Sequence, residues 1–539
     1  MWREGYPHRV GGEAPDVAAV RLAEVVALLS LGTDLGLGQP MEHMIRACLI
    51  ALRLGERLGI DAEQRAVVYY SGLLAWVGCH TDAYEQAKWL GDDTAVKGEA
   101  HYGYDLGKPG PTAAFLVKHI GGAGRPLLER ARAGLGFLGD GRRALAALAE
   151  NHYLATDELA ARLGLGAEVR ESLRQSYERW DGKGAFGLRG EQIALGSRLI
   201  NLADVVEVFR RTGGTGAAVA VARERSGTQF DPGLVQLLCA STPEVFSGLE
   251  SASSWDQVID AEPALDPALP GEQLDDVLDA VGEFAELKSP WRLGHTRGVA
   301  ELVAAAGQAL GLADITALRR AALVADIGHL GVSNTIWDKP AALTPAEMER
   351  VRLHPYLAER MLWFSPALKP LAATVILHHE RMDGSGYPKG LAGDAILPAG
   401  RVLAAADVYQ ALTEPRPHRP ARPPQDAAAA LRAEVRAGRL DGDAVNAVLG
   451  AAGHRVRRRR EWPSGLTARE VDVLRLIACG MSNKDVAREL VISAKTAGTH
   501  VEHIYTKIGA SNRAQASLFA MKHGLMSEWS AAGLARPPG

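Results

Sequence analysis

The chain has 539 residues, of which 47% are hydrophobic and 6% aromatic, and its formal net charge is −4. This length is too great for one compact core, so we expect about three or four domains. The charge gives no support to a nucleic-acid-binding surface over the whole protein, although a neutral average can conceal a small basic module. The four cysteines form no CxxC pair, which argues against a disulfide framework and against a zinc ribbon.

The N-terminal sequence MWREGYPHRV contains no apolar signal core, and no run of about eighteen uninterrupted apolar residues follows it. Together with the unpaired cysteines, these features predict a cytoplasmic protein that has no membrane partner.

The first half of the chain resembles the second half in sequence. Residues 178–205 read ERWDGKGAFGLRGEQIALGSRLINLADV, and residues 380–408 read ERMDGSGYPKGLAGDAILPAGRVLAAADV. With one gap the two segments align at glycine, arginine and acidic residues, which indicates an internal duplication. The aligned pairs are Asp181 with Asp383, Gly182 with Gly384, Arg198 with Arg401, and Asp204 with Asp407.

Other similar segments keep the same order along the chain. SGLLAWVGCH (71–80) lies over AALVADIGHL (321–330), and His43 opens a helical pattern much as His295 does. Apolar residues recur at helical spacing in both halves with little strand-like alternation, so both halves are predicted to be all-α.

Changes in composition along the chain predict five segments. A Pro-rich and acidic stretch without periodicity separates the two halves, and the basic run RVRRRR precedes a C-terminal module. The predicted segments are repeat one (1–255), a linker (256–278), repeat two (279–450), a basic linker (451–463) and the C-terminal domain (464–530).

Repeat two concentrates histidine and aspartate residues near apolar helical segments. A mixed imidazole and carboxylate set suits Mn, Fe or Zn, and a carboxylate such as Asp326 can bridge two ions. Two close ions can activate a water and stabilise both oxygens of a phosphodiester displacement. The candidate ligands are His295, Asp326, His354, His378, His379 and Asp407.

The order of these residues resembles a known family. The segments ADIGHLGVSNTIWDKP, LHP, HHERMDGSGYPKGL and AAADVYQAL, within about residues 285–445, closely resemble the HD-GYP phosphohydrolases. The resemblance implies an HD-type helical bundle that uses divalent metals to open cyclic di-GMP, with the six candidates as ligands. It also implies a nucleotide-binding loop that comprises Arg381, Asp383, Gly386, Tyr387 and Pro388.

Repeat two departs from this family at two positions. The family has His immediately before Asp326, where this chain has Ala325, and a methyl group cannot ligate a metal. His329 stands where the family has Lys or Arg, one helical turn past Ala325. It either replaces the basic residue or supplies the lost ligand, so we name Asp326 and His329 as the candidate catalytic residues. The site could therefore be binuclear or reduced to one ion, and it could hydrolyse slowly or only bind a nucleotide.

Repeat one has lost more of the pattern. Ala75 and Trp76 replace the His-Asp pair, Ser176 and Tyr177 replace the two adjacent histidines, and GYP has become GAF. We therefore predict a degenerate HD-type bundle that packs against repeat two or holds a pocket for an effector.

The C-terminal segment resembles the LuxR-type helix-turn-helix across its whole length. Thr467 and Glu470 form a capping-box pattern, and Ser482 and Ser493 are placed to cap the next two helices. The resemblance implies a four-helix domain that binds double-stranded DNA, usually as a homodimer. The candidate DNA-binding residues are Lys484, Lys495, Thr496, Gly498, Thr499, His500, Glu502 and Lys507.

Three functional hypotheses follow. The first is a transcriptional regulator whose HD-GYP-like region senses, or slowly hydrolyses, cyclic di-GMP or another nucleotide. The second is a metal-dependent phosphohydrolase with an accessory DNA-binding module. The third is a catalytically inactive docking scaffold, which the retention of six candidate ligands opposes.

Overall fold

The computed structural model describes residues 20–120, 128, 142–249, 254–263, 268–455, 462–490 and 492–526. Helices and short helical turns dominate this part of the chain, and it contains isolated β-bridges but no strand. The predicted all-α class is therefore confirmed. The chain divides into a unit that contains both repeats, Met1–Arg455, and a C-terminal unit, Val456–Gly539.

Among the described residues before Gly271 there are twelve helices. They are α1 (Leu22–Gly36), α2 (His43–Leu58), α3 (Ala62–Leu74), α4 (Ala83–Leu90), α5 (Asp93–Gly98), α6 (Pro109–His119), α7 (Arg142–Arg162), α8 (Ala167–Arg174), α9 (Leu195–Glu224), α10 (Pro232–Ala240), α11 (Thr242–Val245) and α12 (Ser254–Asp260). Two further helical turns, a 3₁₀ turn at Val77–Asp82 and a π turn at Glu99–Gly103, connect α3 with α4 and follow α5.

Ten helices form the second half of the same unit. They are α13 (Gly271–Glu286), α14 (His295–Leu310), α15 (Ile315–Val324), α16 (Asn334–Trp337), α17 (Pro345–Arg352), α18 (His354–Leu362), α19 (Lys369–Val375), α20 (Pro398–Thr413), α21 (Pro424–Arg436) and α22 (Gly442–Ala451). A 3₁₀ turn at Ile327–Gly331 follows α15, as the turn at Val77–Asp82 follows α3.

The helix that begins at His43 in repeat one and the helix that begins at His295 in repeat two are anchored in the same way. An acid at the end of the preceding helix accepts a hydrogen bond from the backbone N–H just after the histidine, since Asp34 accepts from Met44 and Glu286 accepts from Thr296. The residue before the histidine has a positive φ in both copies. The duplication seen in the sequence is therefore a duplication of backbone geometry.

A glycine in each 3₁₀ turn permits close approach of a histidine-bearing helix. A Cβ at Gly328 would collide with the backbone oxygen of His354, and a Cβ at Gly78 would collide with that of His152. His152, on α7, therefore occupies in repeat one the place of His354 in repeat two. The sequence comparison did not pair these two histidines.

Helix α1 of repeat one also packs against repeat two. Nearly every residue of α1 is buried, although the helix precedes repeat two by more than two hundred residues. On one side Gly32 lies against Leu330, and Ser365 donates a hydrogen bond to Glu24 (2.7 Å). A matching contact joins the repeats elsewhere, because His80 donates to the backbone oxygen of Phe284 (2.7 Å).

The segment predicted as a linker is partly helical. Helix α12 packs against α1 and α2, and α13 begins at Gly271, so residues 256–278 include parts of two helices. Residues 264–267 and most of the basic run lie outside the described residues. The predicted domain boundaries remain predictions. None of the described helices is long and apolar enough to span a membrane.

The C-terminal unit contains four α-helices among its described residues. They are α23 (Ala468–Ala478), α24 (Asn483–Glu489), α25 (Ala494–Ile508) and α26 (Arg513–Lys522). The predicted caps are confirmed, because Thr467, Ser482 and Ser493 each accept a hydrogen bond from a backbone N–H three residues later. Their core includes Val471, Leu474 and Ile504.

Candidate metal centre and nucleic-acid interface

The six candidate ligands of repeat two converge in the folded chain. Three overlapping groups have ligand atoms within 4.8 Å of one another. The groups are His354 with His378 and His379, Asp326 with His329 and His354, and His295 with Asp326 and Asp407. The convergence therefore includes all six predicted ligands together with His329.

Element ends position most of these side chains. His295 and His354 are the first residues of α14 and α18, and Asp326 stands between α15 and the following 3₁₀ turn. His378 and His379 follow α19, whereas Asp407 lies within α20. Residues up to 112 positions apart in the sequence are thus brought together because helix starts and loops of one bundle face a common centre.

The two carboxylate oxygens of Asp326 face different surroundings. Oδ1 lies 3.4 Å from Nε2 of His329, 3.7 Å from Nε2 of His354 and 3.6 Å from Nε2 of His378. This oxygen is buried and has no hydrogen-bond partner among the described residues. Oδ2 instead lies 3.6 Å from His295 and forms an ion pair with Arg292.

Two histidines direct lone pairs toward Oδ1. Nδ1 of His354 donates to Val351 O, and Nδ1 of His378 donates to Val375 O, each at 2.6 Å. Such bonds turn Nε2 into the free ring nitrogen, and the two Nε2 atoms lie only 3.1 Å apart. At this distance the two rings either share a proton between their Nε2 atoms or have a cation beside both of them.

The pKa shifts of His354 and His378 are consistent with a position that suits positive charge. Burial and the charge of His378 lower the pKa of His354 to about 3, so His354 is neutral at pH 7. Burial opposes protonation of His378, but its contact with Asp326 raises the pKa of that ring. The Asp326 carboxylate therefore favours positive charge at the Nε2 atoms of these rings, which a metal ion would also supply.

His329 completes this side of the centre. Its ring lies 4.3 Å from that of His354 and 4.1 Å from that of Trp337, and its Nδ1 is buried without a hydrogen-bond partner. Burial lowers the pKa of His329 well below its usual range, so the ring is neutral. The geometry places His329 within reach of the ions that Asp326 and His354 would bind, while its ligation remains a prediction.

The opposite side of the centre is occupied by cationic groups of the protein itself. His295 contacts Asp407 (3.2 Å) and Glu414 (2.9 Å), and although burial lowers its pKa, these hydrogen bonds raise it to about 9. Arg416 pairs with Glu414 at 2.8 Å. Arg292 pairs with Asp326. This is the side from which Ala325 removes a ligand.

Sequence reasoning missed the three residues that complete this charged cluster. Arg292 lies three residues before His295, and Glu414 directly follows the last residue of α20, seven positions after Asp407. The spacing of Glu414 from Asp407 was the available signal. Arg292 and Arg416 are ordinary surface residue types, and nothing in the sequence distinguishes them.

The predicted nucleotide-binding loop lies beside the histidines only in part. The Tyr387 ring stacks on His379 with centroids 4.8 Å apart, and Gly386 leaves no room for a Cβ against the backbone of Glu380. Arg381 donates to the backbone oxygen of Glu380. Asp383 accepts from Ser385 within its own turn, and both Asp383 and Pro388 are exposed.

Repeat one fills the corresponding position with hydrogen-bonded pairs. His43 contacts Asp204 (2.9 Å) and Glu207 (2.5 Å), and His101 contacts the other oxygen of Asp204 (2.8 Å). Burial opposes protonation, but these carboxylates raise the pKa of His43 to about 10. Among the described residues of repeat one, no group of three potential ligands meets the distance found in repeat two.

The candidate DNA-binding residues lie on α24 and α25 and on their exposed faces. Gly498 and His500 are half-buried, and the other six are exposed: Lys484, Lys495, Thr496, Thr499, Glu502 and Lys507. Lys507 also forms an ion pair with Glu470 at 2.8 Å, so its charge is already partly neutralised. Ala497 is fully buried, whereas a side chain at Gly498 would meet only Asn483.

Comparisons with known proteins agree with this architecture. Residues 279–444 match the HD domain family, and residues 464–520 match the luxR family of bacterial regulatory proteins. The chain is 32% identical over 414 residues to 3'3'-cGAMP-specific phosphodiesterase 3 of Vibrio cholerae, covering 75% of this chain and 88% of the relative. It is 34% identical over 156 residues to a cyclic di-GMP phosphodiesterase of Thermotoga maritima, covering 28% of this chain and 42% of that protein.

A solved structure has the same fold. The crystal structure of the cyclic GMP-AMP specific phosphodiesterase V-cGAP3 of V. cholerae superposes with a TM-score of 0.56 at 28% identity. The match covers 81% of this chain and 99% of that chain. Its extent includes far more than the segment that matches the HD domain family.

Proposed function

The chain belongs to the HD-GYP type of HD-domain proteins, the family that includes these phosphodiesterases, and it carries a LuxR-type DNA-binding domain. On this premise we propose that it is a DNA-binding regulator whose repeat two binds and hydrolyses a cyclic dinucleotide with the help of a divalent metal. The relatives named above act on 3'3'-cGAMP and on cyclic di-GMP, and these are the first substrates to test.

The observation that carries the proposal is the pair of facing Nε2 atoms of His354 and His378. They lie 3.1 Å apart beside the unpartnered Oδ1 of Asp326, and this arrangement suits a cation. Asp326, His354, His378 and His329 would hold the ion, and Mn, Fe and Zn all accept such a donor set. A divalent ion at this place would supply an activated water and stabilise charge on a phosphoryl group.

The other side of Asp326 supports one ion rather than two. Ala325 offers no ligand there, and the Arg292 guanidinium already contacts Oδ2. A guanidinium presents several N–H donors to phosphate oxygens, so we assign to Arg292 the binding of a non-bridging oxygen of the substrate. Tyr387, whose ring stacks on His379, would exclude water from the same side of the phosphodiester.

The direct test uses the full-length protein loaded anaerobically with Mn or Fe. Bound metal would be counted by mass spectrometry, and linear products would be followed from 3'3'-cGAMP and cyclic di-GMP. We expect Asp326→Asn to lose both bound metal and turnover, and Asp276→Asn, an exposed position on α13, to retain both. Saturable nucleotide binding without product would instead make repeat two a receptor, and absence of both would remove these nucleotides as ligands.

The DNA-binding part of the proposal rests on the exposed residues of α25. Lys495 lies in the first turn of α25, where a Lys side chain contacts phosphate, and the helix would enter the major groove as part of a homodimer. After selection of a target sequence, Lys495→Ala should weaken binding and lower the slope of affinity against salt by about 1. Lys522→Ala, exposed on α26, is the matched control.

Whether the nucleotide controls DNA binding distinguishes the two leading hypotheses. Regulation requires that affinity for the selected site change when the nucleotide is present. An unchanged footprint and affinity, together with turnover in the hydrolysis assay, would favour an enzyme with an accessory DNA-binding module. Sedimentation of the protein with and without its DNA site would test the homodimer.

A further inference from the structure

A cavity of about 680 Å³ opens in repeat one, at the position that corresponds to the candidate metal centre of repeat two. Trp76, which aligns with Asp326, and Tyr177, which aligns with His379, both line it. The volume lies in the range of small-molecule sites. Repeat one has therefore replaced ligand residues by aromatic ones without filling the space in front of them.

The walls of this cavity are largely apolar. Leu37 contributes from the end of α1, Leu90 from the end of α4, and Phe115 from α6. Leu90 and Phe115 belong to a small hydrophobic cluster of their own, to which Val96 of α5 also contributes. An apolar body of a ligand would therefore be transferred from water into contact with these apolar side chains.

Two buried hydrogen-bond donors on the wall have no acceptor. Trp76 Nε1 and Lys97 Nζ are both buried, at 2% and 6% residue exposure, and neither has a hydrogen-bond partner among the described residues. The nearest carboxylate to Lys97 is Asp93, at 3.6 Å, and Asp93 is already held by Lys288 at 3.0 Å. Asp82 also lines the cavity, but burial raises its pKa to about 7, so it is an incomplete counter-ion.

An ammonium and an indole N–H that both lack an acceptor favour a ligand with an acceptor group, and the ammonium favours a charged one. The apolar walls favour a ligand whose remainder is hydrocarbon. A neutral apolar molecule would leave both donors unsatisfied.

Lys97 lies one helical turn after Asp93, and Asp93 contacts repeat two. Asp93, the first residue of α5, accepts from the Ser333 hydroxyl and from the Asn334 backbone N–H, both at 2.7 Å. Ser333 and Asn334 directly follow the 3₁₀ turn that contains His329. Helix α5 therefore joins the wall of the cavity to the segment that carries part of the candidate metal centre.

We propose that this cavity binds a small amphipathic carboxylic acid, with its carboxylate at Trp76 and Lys97, and that its occupancy alters the Ser333 segment of repeat two through Asp93. When the carboxylate takes Lys97, the Asp93 carboxylate is left with Lys288, Ser333 and Asn334. The site needs no metal and no nucleotide, so it goes beyond the function proposed above.

The binding test uses the full-length protein and titration calorimetry with straight-chain carboxylates from octanoate to hexadecanoate and with 2-naphthoate. We expect at least one of them to bind saturably, about tenfold or more tightly than the alcohol of the same skeleton. Lys97→Met should abolish this preference without unfolding the protein, since Asp93 retains Lys288. Lys183→Met, largely exposed at the cavity mouth, is the matched control and should keep the preference.

A second variant keeps the test decisive if Lys97→Met should fail to fold. Ala100→Phe adds a ring to the cavity wall, retains Lys97, and should block acids and alcohols alike. Equal affinity for acid and alcohol in the wild type would overturn the proposal, as would binding that Ala100→Phe leaves intact. Failure of every acid to bind would overturn it as well.

The transmission part is tested by hydrogen exchange. With a bound acid, amides of residues 327–336 should exchange at a changed rate, and Asp93→Asn should remove the change while the acid still binds. Binding with no change in this segment would overturn the transmission and leave the cavity as a binding site. Because neither readout depends on turnover, failure of the hydrolysis assay would not affect either result.

Discussion

Repeats one and two have the same scaffold, and they differ in whether the carboxylates at the corresponding centre have hydrogen-bond partners on every oxygen. In repeat one His43 and Asp204 are enclosed by Glu207, His101 and each other. In repeat two Asp326 Oδ1 and His329 Nδ1 have no hydrogen-bond partner among the described residues, and two Nε2 atoms face each other. The comparison indicates that the unpartnered oxygen of Asp326 distinguishes the candidate metal centre of repeat two from the hydrogen-bonded carboxylates of repeat one.

The largest expected difference between the repeats concerns His354 and His152, which occupy matching places. His354→Gln should lower turnover and metal affinity by about a hundredfold, because its Nε2 lies beside Asp326 and His378. His152→Gln should leave both quantities unchanged, since His152 donates to the backbone oxygen of Ala75 in repeat one. Metal analysis and turnover of both variants would measure this, and loss of metal in His152→Gln would break the comparison.

The buried contacts of His43 with Asp204 and Glu207 should make the free energy of unfolding depend on pH. His43→Gln should destabilise the protein by about 3 kcal/mol near pH 6, because it removes the buried cation between two carboxylates. The pKa of His43 is raised from 6.5 to about 10, so its contribution is complete below pH 6.5 and is lost as the pH rises toward 10.

The lowered pKa of Glu207 gives the stability a pH dependence of the opposite sign. Burial opposes ionisation, but His43 lowers the pKa of Glu207 from 4.5 to about 2, so its contribution is complete above pH 4.5 and is lost as the pH falls toward 2. Urea unfolding from pH 3 to 10 should therefore give the greatest difference between wild type and His43→Gln between about pH 4.5 and 6.5. A difference that does not vary with pH would contradict the assignment of charge to His43.

Substitution of Gly328 or of Gly78, each of which lies against a histidine-bearing helix, should lower the free energy of unfolding by a similar amount. Gly328→Ala and Gly78→Ala should each destabilise by about 1–3 kcal/mol, because the added Cβ meets a backbone oxygen that cannot move without its helix. Only Gly328→Ala should also reduce bound metal, since it displaces His354. Gly110→Ala on α6, where an added Cβ meets nothing within 4 Å, serves as the control in thermal unfolding.

The smallest expected effect on stability comes from the residues that directly precede His43 and His295. Gly294 has φ 85°, and its added Cβ would meet nothing, so Gly294→Ala should cost about 1 kcal/mol through the backbone alone. Glu42 has φ 73° at the matching position and pairs with Arg46, so Glu42→Gly should gain only about 0.5 kcal/mol. Stabilities that change with the same sign in both variants would contradict this interpretation.

Much of the scaffold could be predicted from the sequence because local signals determine it. The caps at Thr467, Ser482 and Ser493 depend on residues three positions away, and the duplication is visible wherever glycine and acidic residues align. The convergence of the six ligands, by contrast, came from resemblance to a family, since spacing along a chain does not determine which helix ends face each other.

The partners that lie outside the family pattern could not be predicted. His101 reaches Asp204 across 103 positions, and Arg292 reaches Asp326 across 34, with no periodicity to connect them. His152 escaped notice because 74 positions separate it from Gly78, whereas only 26 separate His354 from Gly328. Its position 24 residues before Ser176, like that of His354 before His378, was the available signal, and the close approach of Gly78 to His152 agrees with it.

Helix α1 bears on how such a gene can change over time. A duplicated half that has lost its ligands would ordinarily be free to accumulate deletions. Here the early helix forms part of the wall against which the turn and α18 of the other half fold, through Leu330 and Ser365. Truncation to the segment that matches the HD domain family, residues 279–444, would expose that apolar wall to water. The half without the histidine pair thus forms part of the folded core of its neighbour, and we expect a chain shortened to residues 279–444 to be less soluble than the full-length protein.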